Sequence, residues 1–192
     1  MPSERLHAVI PLLAALALGG LGTGCDAFQR TRVETTILES HPGELDDFEF
    51  WDALAKQAVV SNDDALHALI LMNDGRDPSI DFEGRIAIAD EKGWLEGTHL
   101  PLDPNESASV GLLSVAGCRI LDIQGGLTMR LMGPSPRYCT RELVAMGILP
   151  GLTANEALSG LEFIAYIDGL EERDRLQRAW QRRDAMNTGD DQ

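Results

Sequence analysis

The stretch SNDDALHALILM (61–72) opens with a hydroxyl, carries an acid three residues later and then turns apolar. A serine at the N-cap accepts from a free backbone N–H near the third helical residue. The acid there, Asp64, can reach back to the cap, and its charge suits the positive helix end. The pattern recurs at Asp103-Pro104-Asn105-Glu106, ahead of SASVGLLSVAGCRIL, and at Thr153-Ala154-Asn155-Glu156, ahead of ALSGLEFIAYI. Pro104 falls at the first helical position, where its missing N–H costs nothing. Ser61, Asp103 and Thr153 are therefore the expected N-caps of three helices. Apolar residues follow each at helical spacing: Leu66, Leu69 and Ile70; Ala108, Leu112 and Val115; Leu158, Leu161 and Ile164.

Each start is preceded by a shorter helical stretch and an apolar pair. WDALAKQA leads to Val59-Val60, RIAIADEKG to Trp94-Leu95, and RELVAMG to Ile148-Leu149. The unit reads helix, apolar elbow, loop, capped helix, and its starts lie 42 and 50 residues apart, the range of helical repeats. The expected fold is mainly α: a compact bundle of paired helices, arranged as three degenerate repeats, with at most one short extended segment. That segment is Leu127–Leu131, where Leu127, Met129 and Leu131 alternate with Thr128 and Arg130. Gly125-Gly126 ends the helix before it, and Gly133-Pro134-Ser135-Pro136 forms a stiff loop into the next helix.

The composition supports a core and limits the partners. With 44% hydrophobic residues in 192, the chain can bury one ordinary domain plus appendages. Aromatics at 5% favour close-packed helices over a β-sandwich. A net charge of -15 opposes broad nucleic-acid binding, which needs a basic face. The acids concentrate between Val33 and Glu106, whereas from Gly111 to Arg141 only Asp122 stands against Arg119, Arg130, Arg137 and Arg141.

Residues 1–24 read as an export signal. Arg5 marks the n-region, AVIPLLAALAL (8–18) is an apolar core, and GGLGTG supplies the small residues a peptidase needs. The apolar run is short for a bilayer span, which takes about 20 residues; a buried N-terminal helix is the alternative. Cys25 directly after Gly22-Thr23-Gly24 resembles a bacterial lipoprotein lipobox. That resemblance implies lipid attachment at Cys25, a membrane anchor, and a place in the cell envelope facing the periplasm or exterior. The remainder divides into a polar tether (25–46), a helical domain (47–170) and a charged helix with a polar tail (171–192).

Two of the repeats, AIADEKGWLEGTHLPLDPNESASVGLL and RYCTRELVAMGILPGLTANEALSGLEFIAYI, resemble S-layer homology modules across residues 48–170. The resemblance implies a bundle of three modules binding cell-wall polysaccharide. The arginine that contacts glycan in that family is replaced by Asn62, Pro104 and Ala154.

Candidate chemistry is sparse. Arg130, Ser135, Arg137, Tyr138 and Arg141 gather in sequence around one loop. They form either an anion or partner site, with Ser135 and the next helix N-terminus contributing, or internal pairs to the acidic half. In an oxidising compartment Cys118 and Cys139 can form a disulfide; otherwise they are two small buried hydrophobes. His67 reads as a packed or partly solvated residue, and Asp63-Asp64 as solvated or capping. No motif implies a cofactor or a metal. The expected function is a non-catalytic, membrane-anchored lipoprotein that binds a wall polymer or an envelope protein and no nucleic acid. The alternative is a lipid-anchored hydrolase with a site near Ser135, Arg137 and Tyr138.

Overall fold

The computed structural model describes residues 31–41, 43 and 45–189; the expected signal and Cys25 lie outside them. The described chain is mainly helical. Its elements are α1 (Ile37–Ser40), α2 (Asp47–Ala55), α3 (Asn62–Asp74), α4 (Phe82–Glu91), α5 (Val110–Ile120), α6 (Leu127–Met132), α7 (Pro136–Ala145) and α8 (Gly160–Gly189). Only isolated β-bridges join extended residues in this set.

Three serines cap the three central helices. The Ser61 hydroxyl accepts from Asp64 N at 3.0 Å, Ser109 from Leu112 N at 3.2 Å, and Ser159 from Glu162 N at 3.4 Å. Ser61 is the expected start, but the caps of the other two helices lie six residues after the predicted ones. Asp103 and Thr153 instead open turns: the Asp103 carboxylate accepts from Asn105 N at 2.9 Å, and Glu156 N donates to Thr153 O at 3.2 Å. Acidic and hydroxyl side chains serve turns and N-caps by the same local hydrogen bond, so the signature alone does not separate them. With the observed caps the starts are 48 and 50 residues apart, more regular than expected.

The turns have a structural task. A helix leaves its first N–H groups without intrahelical partners, and each central helix gives some of them to the neighbouring module. Asn62 N and Asp63 N donate to Glu106 O (2.8 Å) and Pro104 O (3.2 Å). Val110 N and Gly111 N donate to Glu156 O and Ala154 O, both at 2.8 Å. Gly160 N returns to Gln57 O at 2.9 Å, which closes a ring. The shorter helices complete it: α4 packs on α3, α7 on α5 and α2 on α8.

The apolar elbows anchor this ring, with Val60, Trp94, Leu95 and Leu149 all buried. Beneath them α5 is packed closely because it is built of small residues. A Cβ at Gly111 would stand 2.8 Å from Pro136 Cβ, and one at Gly117 would stand 2.6 Å from the Tyr166 hydroxyl. That hydroxyl donates to Leu113 O at 2.6 Å, pinning α8 to α5.

Two further expectations are corrected. Leu127–Met132 is helix α6, not an extended segment: Arg130 N donates to Gly126 O (3.1 Å) and Gly133 N to Met129 O (2.8 Å). A lone strand there would leave its backbone groups unpaired, whereas one helical turn satisfies them internally. Described residues of the expected tether, starting at Thr31, bond into the bundle. Thr31 O accepts from Ser107 N at 2.7 Å, Ile37 is buried, and Asp46 caps α2.

Candidate binding cleft

Helix α3 carries two adjacent acids in its first turn, and the fold buries both. Asp64 turns toward α1, accepting from Ser61 Oγ (2.7 Å), Ile37 N (3.0 Å) and Leu38 N (3.4 Å). Burial raises its carboxyl above the usual range, against the hydrogen bonds from Ser61 and Ile37 that lower it. Asp63 faces α4. It accepts from Arg85 Nη1 at 2.7 Å and from Thr36 Oγ1 at 3.2 Å.

Arg85 is itself buried, and its Nε donates to Asp77 Oδ2 at 2.7 Å. The same oxygen lies 2.7 Å from His67 Nδ1, while Asp77 Oδ1 accepts from Ser79 N at 2.8 Å. Burial works to raise Asp77, but the hydrogen bonds from His67, Ser79 and Arg85 outweigh it and hold the carboxyl well below the usual range. Facing an ionised carboxylate, Nδ1 carries the imidazole proton, and a neutral ring keeps Nε2 as an acceptor. The ring packs edge-on against Phe50, with centroids 4.6 Å apart at 81°.

This network forms one wall of a cleft of about 950 Å³ between α1, α2, α3, α4 and the 103–105 turn. Its lining carries Glu39, Asp46, Asp47, Asp81 and Asp103 against Arg32, together with the apolar Leu38, Leu45, Ile80 and Phe82. Ile80 is 97% exposed, and Phe48, beside Asp47 on α2, is 80% exposed. The cleft therefore presents hydrogen-bond acceptors and negative charge beside bare apolar surface. Among the described residues no group of three His, Cys, Asp or Glu side chains is arranged to hold a metal ion.

The loop residues singled out in the sequence do not converge. Arg130 on α6 lines a separate recess of about 200 Å³ with Arg119 and Asp122. Arg137 and Arg141 are exposed on α7, and Tyr138 is half-buried against the core. None of these three arginines forms an ion pair among the described residues; Arg119 instead pairs with Glu96. Ser135 is the N-cap of α7, its hydroxyl makes no capping bond, and its carbonyl accepts from Cys139 N at 2.9 Å. No hydrogen-bonded base accompanies that hydroxyl among the described residues.

Cys118 on α5 and Cys139 on α7 are brought together as buried free thiols. The hydrogen bond between them, and then burial, push Cys118 far above the ordinary thiol range. The cleft residues that sequence reasoning missed are Arg85 and Asp77. Asp63 and His67, one helical turn apart on a largely apolar helix, are the signal that points to them. No family model matches the chain, and no curated protein or solved structure matches it.

Proposed function

We propose that this chain is a non-catalytic, lipid-anchored protein of the bacterial envelope whose cleft receives a basic, partly apolar segment of another envelope protein. The observation that carries this reading is the pairing of five rim carboxylates with the exposed Ile80 on one open cleft. Negative potential steers a cationic partner, and bare aliphatic surface rewards apolar side chains over sugar hydroxyls. A polyanionic wall polymer is repelled there. The resemblance to S-layer homology modules supplies no glycan contact either, because the residues after the three capping serines are Asn62, Val110 and Gly160.

The address comes from Cys25. Only residues 26–30 separate it from Thr31, a reach of about 20 Å when extended, so a lipidated chain holds its cleft close to the bilayer.

The test is retention of native envelope components by the immobilised chain from Asp26 onward, with proteins and glycans both identified. The expected result is a retained protein with a basic segment, released by salt and lost with Asp46→Lys/Asp81→Lys. Retention of wall polymer unaffected by those substitutions overturns the reading. Palmitate-analogue labelling in the native host tests the anchor, and an unlabelled Cys25 removes it.

A further inference from the structure

We infer that the basic segment received by the cleft is the C-terminal arm of a second copy of this chain, an inference that rests on the reading just given. Helix α8 has 30 residues, whereas its neighbours α3 and α5 have 13 and 11 from equivalent starts. Contact with the bundle is last made where Gln177 Nε2 donates to Leu121 O, the C-cap of α5, and where the side chains near Arg182 pass Met72 and Asn73. Helix α8 is thus 17 residues longer than α3, about 26 Å of helix.

That arm is amphipathic, and its apolar side chains are exposed. Leu176 and Trp180, one turn apart, are 43% and 56% exposed, and Met186 is 68% exposed. Around them stand Arg175, Arg178, Arg182 and Arg183. The first two pair with Glu172 and Asp174, whereas Arg182 and Arg183 find no carboxylate among the described residues, and Arg183 lies 4.1 Å over the Trp180 ring.

The cleft carries complementary groups: carboxylates for the arm's guanidinium groups, and Leu38, Leu45, Ile80 and Phe82 for its Trp180 and Leu176. An arm cannot reach the cleft of its own chain. The cleft lies at the capped ends of the bundle, on Asp63, His67 and the 103–105 turn, and the continuous helix leaves by the opposite end. Occupancy is therefore between chains. An anionic bilayer also attracts a basic amphipathic helix; the charge-reversal exchange below separates it from the cleft.

Sedimentation velocity on the chain from Asp26 onward, over about 2 to 200 µM, tests this at about 50 mM and 0.5 M salt. The expected result is an average mass that rises with concentration at low salt. Association weakens at least ~10-fold at high salt, and likewise in Trp180→Ala and in Arg182→Glu/Arg183→Glu. The cleft reversal Asp46→Lys/Asp81→Lys is monomeric alone, and mixing it with the arm reversal restores association, since an acidic arm then meets a basic cleft. The arm substitutions lie at the surface and leave thermal melts followed by circular dichroism unchanged. The cleft reversal removes the caps of α2 and α4 and melts lower, and the association it regains on mixing shows that it is folded. A wild-type chain that is monomeric at the top concentration in low salt overturns the inference. So do arm variants that associate like wild type, or arm-dependent binding to anionic vesicles by a monomeric chain. A monomeric wild type that still retains a basic envelope protein through the cleft removes only this inference and leaves the proposed function standing.

Discussion

Helices α3 and α5 begin with the same serine cap and the same donation of backbone N–H groups to a neighbouring turn, yet they are buried by opposite means. Around α3 the interior holds charge: Asp63, Asp64, Asp77 and Arg85, with His67 at the edge. Around α5 it holds small and weakly polar groups: Gly111, Ser114, Gly117 and Cys118, with Thr140 Oγ1 bonded to Ser114 Oγ at 3.0 Å. The difference teaches that the scaffold does not require charge at this position. The α5 side shows the apolar solution, and the ionic one is kept where the cleft opens. Buried ion pairs seldom repay their desolvation against apolar packing, so their presence on one side only agrees with a role at the cleft surface.

The comparison breaks most visibly at Arg85. Arg85→Met leaves Asp63 and Asp77 buried without their cation and is expected to cost about 3–5 kcal/mol in chemical denaturation. A loss below about 1 kcal/mol would show the network to be no more structural than a surface pair. A smaller effect, about 1–3 kcal/mol at neutral pH, is expected for Asp77→Asn. Because the folded-state carboxyl is held below its unfolded value, its stabilisation is present above about pH 4 and lost as pH falls toward the folded value. The gap between wild type and Asp77→Asn should therefore narrow on acidification below about pH 5; a pH-independent gap refutes the ionic account. The finest distinction lies at the caps. Ser109→Ala removes one capping bond, about 1 kcal/mol. Ser61→Ala also strips the hydroxyl from buried Asp64 and should cost about twice as much, read from paired thermal melts.

Much of this architecture is legible in the sequence. Helical spacing, the apolar elbows and the cap at Ser61 depend on short-range patterns, and those patterns set the mainly helical class. The misplaced starts at Asp103 and Thr153 share one cause: the turn and the cap use the same side-chain acceptor, and only the next module's N–H groups decide between them. Leu127–Leu131 reads as extended because five residues of alternation fit one helical turn as well as a strand. The cleft was the least legible part. Arg85 and Asp77 lie 22 and 14 residues from Asp63, so their convergence depends on how α4 folds back on α3. Nothing local in either residue separates a buried ion pair from a solvated charge.

The ring of backbone bonds among the three helix starts also bears on how the molecule comes apart. Since each start lends its amides to the next module and the third returns them to the first, no module can open while its neighbours keep their hydrogen bonds. The amides of Asn62, Val110 and Gly160 lie far apart in sequence but share one fate. They belong to a single cooperative unit, and in hydrogen exchange they should be released together, at the free energy of global unfolding. A chain cut between modules would keep its helical propensities and lose the closure that makes them a domain.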